Sequence, residues 1–217
     1  MNQLIYQLQS VLPDGMSIPK EIEMLYEYIE ENGYYIDRKN IRYGFLCPED
    51  NPSGTNITFR IDDDDTLKYF IPSYFGDGSA DATEVKKRVC IFARSGKDGS
   101  LCALWLNEQN ETKIVHLGTG SGSMLYGVIA ENAVDFLRLI AIGYDEICWE
   151  SELKAPPRNT APNIQFQNWV RTNFNVEIPQ TGAEIVTYPL EEPNADDPFC
   201  VNDPFLNWLD KVVEICE

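Results

Sequence analysis

The sequence predicts an α+β fold: an antiparallel sheet, built as a meander and flanked by helices, with a C-terminal helical extension. Three observations predict it. Residues 88–93, 101–106 and 113–117 are short runs dominated by Val, Ile, Leu, Phe and Trp, the composition of buried strands. The connection Ser95-Gly96-Lys97-Asp98-Gly99-Ser100 supplies positive-φ positions and Asx turns, so the first two runs form a hairpin and the third extends it. Ala130, Ala133, Val134, Leu137, Ile140 and Ala141 then recur with the helical period. Phe136, Leu139 and Ile142 lie off that stripe, which makes the helix apolar nearly all round and therefore buried. Gly143 suits the left-handed position that ends it.

The remaining elements follow in order. Leu4, Leu8, Val11 and Leu12 mark a short amphipathic helix closed by Pro13-Asp14-Gly15. A second helix is expected with Ser17 as N-cap, Pro19 in its first turn, and Glu21 and Glu23 at the positive end of its dipole. Its buried stripe is Ile18, Ile22, Leu25, Tyr26 and Ile29, and Gly33 stops it. Residues 34–54 mix Tyr and Ile with Arg38, Lys39 and Arg42, and pass into a Pro/Gly loop over residues 48–54. Residues 57–61 and 67–71 alternate as strands, so Asp62, Asp63, Asp64 and Asp65 are expected at a hairpin tip. Residues 72–84 read as a loop and residues 124–128 as a further strand. Beyond Ala155-Pro156-Pro157, the residues Phe166, Trp169, Val170 and Phe174 mark a helix, and residues 184–188 an edge strand. Asp203-Pro204 opens a last helix, with Phe205, Trp208, Leu209, Val212 and Cys216 spaced to dock on the body. Residues 1–154 thus form the main α+β domain, and residues 155–217 an extension packed on the same core.

Composition narrows the function. With 35 acids against 17 bases the net charge is −18. Residues 1–113 hold 19 acids and 12 bases, and residues 114–217 hold 16 and 5. Such a field serves solubility; it also repels phosphate backbones and anionic headgroups and attracts basic partners. It disfavours direct nucleic-acid and membrane contact. The six cysteines show no CxxC pair and no zinc spacing, and several sit inside apolar strand patterns, where a reduced Cys packs as a small hydrophobe. The first fifteen residues lack the basic start of a signal peptide, and no run approaches the length of a membrane span. A reducing, cytoplasmic setting is expected.

No constellation reads as catalytic. His116, the single histidine, lies in an apolar strand with no base or ligand at a motif spacing. Gly118-Thr119-Gly120-Ser121-Gly122-Ser123 lacks the Lys-Ser/Thr ending of a phosphate loop, and Thr119 and Ser123 displace the glycines of a nucleophile elbow. Asp62–Asp65 have hard oxygen ligands but not the spacing of a calcium loop. No cofactor, metal or catalytic residue is assigned. The alternative for those aspartates, joined by Asp77 and Asp81, is a carboxylate surface that grips the guanidinium groups of a basic protein.

Asp98-Gly99-Ser100-Leu101-Cys102-Ala103-Leu104-Trp105, then Ile114-Val115-His116-Leu117-Gly118, resembles the SUKH superfamily. So do Ala130-Glu131-Asn132-Ala133-Val134-Asp135-Phe136-Leu137-Arg138-Leu139 and Ile142-Gly143-Tyr144-Asp145-Glu146, and the Ile18-Pro19 helix start. That superfamily holds bacterial immunity proteins and a yeast cell-wall regulator. The resemblance implies an α+β fold, no catalytic residues, and a protein that neutralises a cognate toxin, often a nuclease. The acidic field suits a plug for a basic, nucleic-acid-gripping site. A non-catalytic regulatory or scaffold module is the alternative.

Overall fold

The computed structural model describes residues 2–62, 65–75, 82–119, 125–147, 150–158, 161–190 and 202–213. Helix α1 (Gln3–Gln9) is capped by Asn2, whose side chain accepts from the Ile5 N–H at 2.9 Å. Helix α2 (Lys20–Glu31) buries Ile22, Leu25, Tyr26 and Ile29. Pro19, not Ser17, occupies its N-cap position, without a side-chain cap. Gly33 takes a φ of +70°, which turns the chain so that the Tyr34 N–H reaches back to the Ile29 carbonyl.

Strands β1 (Tyr35–Arg38) and β2 (Ile41–Gly44) form a hairpin within the stretch whose mixed residues gave no clear pattern. Its two-residue turn, Lys39-Asn40, has positive φ at both positions, the geometry that matches strand twist. Strand β3 (Thr58–Phe59) is shorter than the expected run over 57–61. The face assignment holds, because Ile57, Phe59 and Ile61 all pack into one core while Thr58 and Arg60 turn away.

The expected second strand of that hairpin, residues 67–71, is part of helix α3 (Asp65–Phe75). Leu67 and Ile71 are four apart, a spacing that fits both periods. The burial of Phe70 beside Ile71, with Lys68 and Tyr69 exposed, shows the helical one. Residues 72–84, which read as loop, hold the end of α3 and the start of helix α4 (Thr83–Lys86). The meander is present as strands β4 (Val89–Arg94), β5 (Leu101–Leu106) and β6 (Thr112–Leu117), extended by β7 (Tyr126–Ala130). Ala130 therefore belongs to β7. Helix α5 (Ala133–Ile142) starts later, capped by Asn132 and ended by Gly143 at φ +99°. Helices α6 (Glu150–Leu153), α7 (Ile164–Phe174) and α8 (Pro204–Val212) complete the chain. The edge strand expected over residues 184–188 does not form; 3₁₀ turns, Gly182–Glu184 and Tyr188–Leu190, lie at its two ends. Pro189, immediately after that stretch, has no N–H to give a ladder.

All seven strands are antiparallel and lie in sequence order, β1 at one edge and β7 at the other. Helices cover both faces. Cys102, Leu104 and Leu106 of β5 point into a core shared with α1, α2, α5 and α7. Leu101, Ala103 and Trp105 point into a second core with α3, α4 and α8. The segment after residue 154 contributes to both, through Phe166 and Val170 on one face and Phe205 and Trp208 on the other. Trp105 meets Phe205 at 5.3 Å and Trp208 at 5.6 Å between ring centres, pairs that each add about 1 kcal/mol beyond area burial. Among the described residues, no helix is long and apolar enough to cross a membrane.

Candidate partner-binding face

The aspartate run does not crowd a hairpin tip. Asp62 leaves β3 and is clasped by Arg60 at 2.8 Å and Arg94 at 3.2 Å, with its side chain only 7% exposed. Burial opposes ionisation, yet the two guanidiniums hold its carboxyl below the usual range. Its charge is matched within the chain. Asp65 opens α3, and its side chain lies outside the described residues, as do Asp63, Asp64, Asp77 and Asp81.

His116 is fully buried and makes two hydrogen bonds. Its Nδ1 lies 2.8 Å from the Leu125 carbonyl, which can only accept, so Nδ1 carries the proton. Nε2 is then an acceptor, and Ser95 Oγ donates to it at 2.6 Å. Burial pushes the imidazole down to about 4, so it is neutral at pH 7. The pair has the geometry of a nucleophile and its base. Ser95 and His116 are both 0% exposed, and what they do is tie β6 to the turn after β4. Asp98 fastens that turn from outside, accepting from the Ser100 hydroxyl at 2.6 Å and the Thr119 hydroxyl at 3.1 Å.

Exposed carboxylates converge elsewhere, around the loop that follows β2. Leu46 anchors it: the Asn163 side-chain amide donates to the Leu46 carbonyl at 2.7 Å, while the Asn163 oxygen caps α7 through the Phe166 N–H. At the loop's far end the Gly54 N–H donates to the Ala161 carbonyl, and the Asn56 N–H to the Asp145 carbonyl, both at 2.8 Å. Gly54 has φ +71°, and a Cβ there would meet the Asn163 Cβ at 2.9 Å, so glycine is required. These ties hold Glu49 and Asp50 out in solvent.

A depression lies on each side of this loop. One, of about 480 Å³, is lined by Glu49, Lys97, Asp145, Phe45 and the loop backbone. At Asp145 it meets a second hollow of about 350 Å³ that holds Glu152, Tyr144 and Arg158. On the other side a groove of about 540 Å³ runs along the start of β1, lined by Tyr34, Tyr35, Ile36, Phe45, Glu49 and Asp50. Both sides pair aromatic or backbone surface with exposed carboxylates, a setting that accepts a stacked, hydrogen-bonded guanidinium. The Pro-rich loop was legible in the sequence. Asp145 and Glu152 were not, because only the tertiary fold brings residues about a hundred positions away to its side. Among the described residues, no group of three or more His, Cys, Asp and Glu is placed to hold a metal ion. Comparison with protein-family models, curated proteins and solved structures gives no match for this chain.

Proposed function

We propose that the chain is a protein-binding module of the immunity type, which neutralises a cognate nuclease-type toxin by covering the toxin's basic site. The observation that carries the reading is the acidic face around Asp145. Glu49, Asp145 and Glu152 line its two hollows against Lys97 and Arg158, on a chain of net charge −18. Long-range attraction speeds encounter with a cationic protein, and a short carboxylate–guanidinium contact then fixes it. The exposed carboxylates of this face take the place that the aspartate run held in the sequence-based expectation, since Asp62 is spent on Arg60 and Arg94.

The test is growth of a bacterial host making the toxic domain encoded beside this chain's gene. Wild-type protein is expected to restore growth, and the triple reversal Glu49→Lys/Asp145→Lys/Glu152→Lys to lose that protection while folding normally. Protection that survives the triple reversal contradicts the placement. Failure of the wild-type chain to protect contradicts the function.

A further inference from the structure

The β1 edge of the sheet is open, and its flanks carry opposite charge. Arg38 and Ile41 bracket the two-residue turn, so they are a hydrogen-bonded pair and the pairs alternate from there. The Phe45 N–H to Tyr34 carbonyl bond at 2.8 Å falls in the same phase. So does the Arg42 N–H, which points away from β1 to Gln7 Oε1. Tyr35 and Asp37 consequently turn their N–H and C=O groups outward, where, among the described residues, no strand pairs with them. At the far end of β1 stand the exposed side chains of Arg38 and Lys39; beside its start lies the groove with Glu49 and Asp50.

We propose that this edge pairs with the same edge of a second copy, giving a two-fold dimer with one continuous sheet. Place the two-fold axis through Ile36. Tyr35 then exchanges both backbone hydrogen bonds with Asp37 of the second copy, and the reverse pair repeats this, so four bonds form. The half-buried Ile36 side chains meet across the axis, the closest kind of antiparallel contact. The register carries Arg38 of each copy opposite Tyr34 of the other, and Lys39 beyond it, toward Glu49 and Asp50. A C2 contact must be self-complementary, and this edge is, basic at one end and acidic and aromatic at the other. A short, charged edge resists indiscriminate pairing, yet in this one register its charges attract. The contact shares Glu49 with the face proposed to meet the toxin, whereas Asp145 and Glu152 lie outside the groove beside β1, and the doubled mass is read without any toxin present.

Sedimentation equilibrium over a concentration series tests it. Wild-type protein is expected to pass from 24.7 kDa to twice that mass as concentration rises. Arg38→Glu/Lys39→Glu and Glu49→Lys/Asp50→Lys should each stay monomeric, because each sets like charges together. Mixed in equal amounts they should recover the doubled mass, since both contacts become attractive again, and misfolded variants could not do this. A wild-type monomer at every concentration overturns the proposal. So does a dimer that survives either reversal, or a mixture that stays monomeric.

Discussion

The two edges of the sheet are finished in opposite ways. At β7, Asp203 closes the edge. One carboxylate oxygen accepts the outward Val128 N–H at 2.8 Å, and the other caps α8 through the N–H groups of Phe205 and Leu206 at 2.8 and 3.1 Å. Gly127 makes room: it has φ +128°, and a Cβ there would stand 2.2 Å from an Asp203 oxygen. At β1 the corresponding groups of Tyr35 and Asp37 face outward with no described strand beyond them. The Asp203 carboxylate, together with the Tyr188–Leu190 turn and α8 packed against β7, thus separates an inert edge from an available one. Sealing costs desolvation, and burial pushes the Asp203 carboxyl above its ordinary range against the pull of three N–H donors.

The largest effect comes from undoing the seal. Asp203→Ala removes an N-cap and leaves a buried strand N–H without its acceptor, a loss of about 3 kcal/mol. In a chain of this size that lowers Tm by roughly 10 °C, readable by calorimetry, and α8 should loosen with its Phe205 and Trp208 anchors. A drop below about 1 kcal/mol would mean that α8 holds by its apolar face alone.

A smaller effect separates a carboxylate held by ion pairs from one held by backbone donors. The depressed carboxyl of Asp62 contributes stability that is present above the unfolded carboxylate range and is lost as pH falls through its folded value. Asp203, pushed the other way, acts with the opposite slope. Asp62→Asn should therefore be less stable than wild type at neutral pH, and the gap in urea midpoint should close as pH falls below about 4. A gap that stays constant as pH falls well below that range would show that Arg60 and Arg94 do not discriminate the charged form.

The central meander was legible because β4, β5 and β6 are apolar on both faces and are separated by turn residues of fixed chemistry. Helix α5 was legible for the same reason in the other period. Where the signal was short it was ambiguous: Leu67 and Ile71 satisfy both periods, and only the contacts of Phe70 decide. The β1–β2 hairpin was hidden because its turn, Lys39-Asn40, has no glycine and its strands carry Asp37, Arg38 and Arg42. Charge misled in one respect. Four consecutive aspartates looked like a surface, but Asp62 is buried against two arginines. The exposed carboxylates that line the two hollows, Glu49, Asp145 and Glu152, are scattered through the chain and carry no shared motif.

The contrast between the edges is tested most directly by amide hydrogen exchange, read residue by residue in dilute protein. The Val128 amide should be protected to the level of the central strands, while the amides of Tyr35 and Asp37 exchange with little protection. As the concentration is raised, the latter two should become protected and Val128 should not change. Equal, fast exchange of Val128 and Asp37 in dilute protein would contradict a sealed β7, and protection of Tyr35 and Asp37 at the lowest concentration would contradict an open β1.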